Sequence, residues 1–121
     1  MTVKYMLMMF GDGSTMMEAH DDQWVRDMIQ FMGSFNEEIT ASGEWVSAEG
    51  LADPTTAKTL TLTDGQVVVT DGPFAEAKES LAGFWIWDVK DEARAIELAT
   101  KILPWARRVE LREVPAGPPE V

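Results

Sequence analysis

The sequence predicts an α+β domain, and three observations carry that expectation. Two stretches place apolar residues at helical steps of three and four. Six shorter runs alternate, or are apolar on both sides, as strands do. In chain order they read β-α-β-β-β-β-α-β, the helices well apart and the strands suited to an antiparallel sheet. At 121 residues the chain is one domain of ordinary size, taken as residues 1–115 with a flexible tail at 116–121.

Val3 to Phe10 is the first strand. Tyr5, Leu7 and Met9 alternate with Met6, Met8 and Phe10, so both sides are apolar. Gly11-Asp12-Gly13-Ser14 marks a loop. Asp21 to about Ser42 is a helix that Asp21 or Asp22 can cap. Trp24, Met28, Met32, Phe35 and Ile39 form its stripe, with Val25, Ile29 and Phe31 widening it. Asn36, Glu37 and Glu38 fall away from the centre of that stripe, and Gly43 is a natural stop.

Glu44 to Leu51 is a short strand ended by Ala52-Asp53-Pro54. Lys58 to Thr63 alternates Leu60 and Leu62 with three threonines. Asp64-Gly65 is a strong hairpin turn, and Gln66 to Thr70 returns. Gly83 to Val89 is the next strand, with Phe84 and Ile86 opposite Trp85, Trp87 and Val89. Asp91 caps a second helix to Leu103, with Ala95, Ile96, Ala99, Ile102 and Leu103 as its stripe and Pro104 ending it. Arg108 to Val114 closes the sheet, and the proline-rich tail frays.

This order fits a ferredoxin-like βαβ–βαβ sheet, two helices on one face, with a central hairpin added. Two helices cover one face only, yet Val3–Phe10 and Phe84–Val89 are apolar on both. Burying one large apolar side chain is worth roughly 1.5–3 kcal/mol, so a wet second face forfeits several such terms. The expected cover is the same sheet from a second copy, packed face to face as a homodimer.

Composition narrows the function. The formal charge is -11, from 21 acidic and 10 basic side chains. Such a chain repels phosphate backbones and anionic membrane surfaces, so neither nucleic acid nor membrane is an expected partner. There is no cysteine and one histidine, which excludes disulfides and thiolate or histidine-rich metal sites. The apolar N-terminus is too short to span a membrane and lacks the parts of a secretory signal. A cytoplasmic location follows as the expectation. No glycine-rich nucleotide loop is present, and no cofactor is expected.

The segment between the central strands carries the chemistry. Asp71-Gly72-Pro73 turns the chain: aspartate accepts backbone N–H groups, glycine permits positive φ, and proline suits the start of a helical turn. Ala75 to Leu81 favours helix, with Gly83 to end it. Glu76 and Glu79 share a face, three residues apart, and Lys78 projects elsewhere. Paired carboxylates can share a proton and do acid–base work. The plainer account is a capped, solvated turn.

The stretch "VTDGPFAEAKESLAGFWIWDV" resembles the signature of the DGPF subgroup of the YCII-related family. Asp71-Gly72-Pro73-Phe74, Glu76, Lys78-Glu79 and Gly83 match position by position. "KYMLMMFGDG", "FNEEITASGEWVSAEGL" and "DEARAIELATKI" are similar to its first strand, first helix with second strand, and second helix. The resemblance implies a bacterial dimeric α+β barrel, of a subgroup without an established reaction, often encoded beside extracytoplasmic-function sigma factors. Relatives on that fold include monooxygenases, isomerases and haem enzymes, and fold alone does not choose among them. The wider family is thought to pair a histidine before the first helix with an aspartate of an Asp-Pro element. His20 sits at the first place, but Ile102-Leu103-Pro104-Trp105 has no aspartate at the second.

Two functions fit these residues. In one, a small dimeric enzyme moves a proton with Glu76 or Glu79, Lys78 steadies an anion, Asp71 fixes the turn, and His20 is a weaker catalytic candidate. Trp85 and Trp87 line the pocket for a flat ligand, or else fill core and interface. In the other, a ligand-sensing or protein-binding module meets a basic partner, such as a sigma-factor region, through its acidic surface.

Overall fold

The computed structural model describes residues 1–11, 20–72 and 80–119. Four strands form one antiparallel sheet: β1 (Val3–Phe10), β2 (Trp45–Gly50), β5 (Leu81–Val89) and β6 (Val109–Val114). Their order across the sheet is β2-β5-β1-β6. A separate two-stranded ribbon, β3 (Lys58–Thr63) and β4 (Gln66–Asp71), is inserted between β2 and β5. The helices are α1 (Asp22–Ala41) and α2 (Glu92–Ala106). With the ribbon set aside, this is the ferredoxin-like strand order and element sequence.

Local chemistry explains most boundaries. The Asp21 and Asp91 carboxylates accept the backbone N–H groups of Trp24 and Arg94 at 2.8 and 2.9 Å, satisfying donors a helix start leaves open. Gly43, at φ +81°, ends α1 in the left-handed region. Asp64 and Gly65 both hold positive φ, as a tight hairpin turn of the primed type requires.

The two sides of the sheet differ. Tyr5, Leu7, Trp85, Trp87 and Val89 share one side and pack with Phe35 and Ile39 of α1 and Ala95, Leu98, Ala99 and Ile102 of α2. Met6, Met8, Phe10, Phe84 and Ile86 occupy the other side; they are half-buried and outside that core. Both helices therefore cover a single face.

Four expectations need correction. Ile29 is 58% exposed, and on α2 Ile96 and Leu103 face outward while Leu98 is fully buried. At 100° per residue, Leu98 lies on the Ala95–Ile102 side of the helix and the other two do not. Pro104 does not end α2, which runs to Ala106. The extra turn seats Trp105 against Trp24 and Phe31, ring centres 5.5 and 5.6 Å apart, and that burial outweighs one missing N–H bond. Leu81 belongs to β5, which starts two residues before the expected Gly83, rather than to a helical turn. The remainder of the expected turn, 75–79, lies outside the described residues.

One ion pair ties the layers together. Arg94 on α2 grips Glu44 with both prongs, Nε to Oε2 at 2.8 Å and Nη2 to Oε1 at 2.9 Å. Its Nη1 also meets Glu97 at 2.9 Å. The Arg94 hydrogen bonds hold the Glu44 carboxyl below its ordinary range, against the opposing effect of burial. A depressed folded-state value means stability that is present above the unfolded value, about 4.3, and is lost as pH falls through the folded one. Glu44→Gln is therefore expected to flatten the loss of stability below about pH 4.3, followed by thermal melts across acid pH. Arg94→Ala should cost about 1.5–3 kcal/mol near neutrality, because it strands a half-buried carboxylate. Acid profiles that coincide for Glu44→Gln and the parent would contradict this.

No helix among the described residues is long and apolar enough to cross a membrane.

Candidate functional site

The candidate site is a cleft of about 260 Å³ at the Gly50–Gly83 end of the sheet. Met9, Trp45, Phe84 and Trp85 supply apolar wall, and Ala48, Glu49 and Gly50 supply the β2 side. Asn36 enters from α1. A second, shallower recess of about 370 Å³ continues from it over Asn36, Glu37, Thr40, Ala41 and Trp45.

Asn36 is held in place. The Trp85 indole N–H donates to its Oδ1 at 2.8 Å. Trp85 is in turn fixed edge-on against Phe35, ring centres 5.7 Å apart and planes at 86°. With its oxygen so engaged, Asn36 presents its amide N–H groups elsewhere, and they have no partner among the described residues. Glu49 also lines the cleft, and its backbone carbonyl faces Gly83. The site thus combines aromatic wall and a fixed amide donor, a set suited to a flat molecule with a polar edge.

Gly83 shapes the floor. It is buried, and a Cβ there would meet the Glu49 carbonyl oxygen at 3.0 Å, Met9 Cε at 3.2 Å and Gly50 Cα at 3.4 Å. Glycine is needed for this close approach of β2 to β5.

The residues singled out from the sequence are scattered. Trp85 lines the cleft. Trp87 is fully buried behind it, and its indole N–H has no hydrogen-bond partner among the described residues. His20 stacks on Trp24, ring centres 3.7 Å apart. From Trp24 to Asn36 is about 18 Å along α1, so His20 is not brought to the cleft. Asp71 ends β4, with its carboxylate on Lys58 and 86% exposed. Glu76, Lys78 and Glu79 lie outside the described residues. Their segment leaves from Gly72, held to the Ala57 carbonyl at 2.7 Å, and returns at Ser80, whose carbonyl takes the Gly11 N–H at 2.8 Å.

Asn36, Glu49 and Met9 were not anticipated. The one available clue was Asn36 itself, a poor helix former in mid-helix beside an apolar stripe. A larger recess of about 460 Å³ near Arg94 is less suited to a ligand, since Arg94, Glu44 and Glu97 already satisfy one another. Among the described residues, no group of three or more histidine, cysteine or carboxylate side chains is placed to hold a metal ion.

A family model, the YCII-related domain, matches residues 3–115. The chain belongs to the YCII-related family. The match takes in every strand and helix described above, and both walls of the cleft. An uncharacterized protein of Rhizobium meliloti (strain 1021) is 32% identical over 82 residues. That alignment covers 68% of this chain and 63% of the relative. Membership in the YCII-related family specifies no reaction, so the chemistry has to be argued from the cleft.

Proposed function

We propose that this YCII-related domain binds a small, flat, partly apolar molecule in the Asn36–Glu49 cleft and moves a proton on it. The observation that carries the reading is the Trp85–Asn36 hydrogen bond, which fixes a polar donor inside an otherwise aromatic recess. Preorganised donors of this kind recognise a carbonyl or oxyanion without reorganising. Glu76 or Glu79 takes the proton and Lys78 steadies the resulting anion, roles that suit a DGPF-type segment leading into β5 three residues before Phe84. No dissociable cofactor is needed for such a step, and a cysteine-free chain suits a reducing cytoplasm. The open sheet face pairs with that of a second copy, closing a dimeric α+β barrel.

The test begins with a metabolite screen for ligands and turnover. Asn36→Ala is expected to weaken a ligand found there about tenfold, the loss of roughly one good hydrogen bond. Glu76→Gln and Lys78→Met are expected to abolish turnover while binding persists. Unchanged rates would remove those residues from the mechanism, and an Asn36→Ala variant binding at parental strength would remove the cleft.

The charge of -11 favours a second reading, a sensing module that meets a basic protein such as a sigma-factor region. Pull-down from native extract separates the two. A stable basic partner without turnover favours the module.

A further inference from the structure

We propose that the cleft selects an uncharged carbonyl compound that also carries an O–H or N–H group, and rejects the corresponding carboxylate. The inference rests on the ligand-binding reading above and names the substrate class of that same site.

Two hydrogen bonds set the polarity of the cleft. An indole N–H donates and never accepts. Trp85 therefore fixes which end of the Asn36 amide it meets: Oδ1 takes the 2.8 Å bond, and the Nδ2 hydrogens are left for a ligand. Thr40, one turn further along α1, lines the adjoining recess with Asn36 and Trp45. Its hydroxyl donates to the Asn36 backbone carbonyl at 2.7 Å. With its hydrogen engaged there, the Thr40 oxygen can only accept. A ligand that lies across the two recesses meets a donor at Asn36 and an acceptor at Thr40.

Charge disfavours the anion. No lysine or arginine is among the described residues lining either recess, and the two charged residues that do line them, Glu37 and Glu49, are acidic. The chain carries a charge of -11, so its field opposes an approaching anion. A carboxylate moved from water into an aromatic recess loses hydration and meets no cation among these residues. A ketone or amide oxygen needs only the Asn36 N–H. In the proton transfer proposed above, the C–H bond beside the carbonyl breaks, its proton goes to the base, and its electron pair moves onto the carbonyl oxygen. Negative charge thus arises at the Asn36 donor after binding, and return of the proton leaves a neutral product.

The test follows the Trp85 indole N–H by heteronuclear NMR of the intact chain at neutral pH, with Trp85→Phe to assign it. Three related probes are titrated: para-hydroxyacetophenone, para-methoxyacetophenone and para-hydroxybenzoate. The hydroxy ketone is expected to bind about tenfold more tightly than the benzoate, in which a carboxylate replaces the acetyl group, and than the methoxy ketone, which lacks the O–H. Thr40→Val should make the two ketones equal. Asn36→Asp keeps an acceptor for Trp85 but has no hydrogen to offer, so the hydroxy ketone should weaken about tenfold while the cation para-hydroxybenzamidine gains. Benzoate binding as tightly as the hydroxy ketone, or an Asn36→Asp chain that keeps the ketone at parental strength, would overturn the inference while leaving the cleft a binding site. Equal binding of the two ketones by the parent would overturn the Thr40 contact. Exchange of the acetyl methyl protons in heavy water reads the proton transfer separately. Its absence, with the affinities in the stated order, would overturn the proton transfer and support the selectivity. A Trp85 N–H unmoved by all three probes would overturn both.

Discussion

Phe35→Ala is expected to lower stability by about 3–5 kcal/mol, read as a fall in the urea midpoint. Phe35 is 2% exposed and stands where α1 meets β5. Its ring lies 5.7 Å from Phe31, 5.7 Å from Trp85 and 5.9 Å from Trp87, between centres. Three flat neighbours cannot all close on the space left by a missing ring, so the cavity penalty adds to the lost burial. Domains of this size have only about 5–15 kcal/mol to lose. The effect should reach the cleft as well. Trp85 is braced by Phe35 on one side and bound to Asn36 on the other, so removing the brace frees the amide that the site depends on. A loss below about 1 kcal/mol, with ligand affinity intact, would mean that the core does not organise the cleft.

Gly83→Val is expected to damage the cleft more than the fold. Its Cβ would press on a carbonyl oxygen at 3.0 Å and a Cα at 3.4 Å, both backbone atoms, and neither can rotate away as a side chain can. Relief requires β2 to move off β5, at about 1–3 kcal/mol for overpacking of this kind. Met9, Glu49 and Gly50 are the displaced neighbours, and all three line the cleft. Thermal melts and ligand titration should therefore show a modest fall in melting temperature beside a severe loss of binding. Gly83→Ala should lie between parent and valine in both. Parental binding by Gly83→Val would show that the close approach of β2 to β5 at Gly83 is not needed by the site.

Much of this was legible in the chain. The caps at Asp21 and Asp91, the Asp64-Gly65 turn and the stop at Gly43 rest on chemistry within a few residues, so local sequence reads them correctly. Period-two and period-three-to-four patterns gave the six strands and two helices named above, because a strand or helix shows its buried side in its own spacing. The helix wheel erred at Ile29, Ile96 and Leu103, each near the edge of a stripe, where the neighbouring layer decides which way is in.

The cleft was far less legible. Trp85 and Asn36 bond across 49 residues, and Arg94 and Glu44 across 50. Gly83 read as the end of a turn and the start of a strand; its constraint, the carbonyl of Glu49 on the next strand, lies outside any local pattern. Pro104 read as a stop because proline breaks helices; the site for Trp105 between Trp24 and Phe31 overrides it. By itself, then, the sequence determined the order of elements, their caps and which strands were apolar on both sides. Only the tertiary structure decided which side the helices took, and which polar atoms met across it. Periodicity is a property of one segment, whereas register and close approach exist only between two.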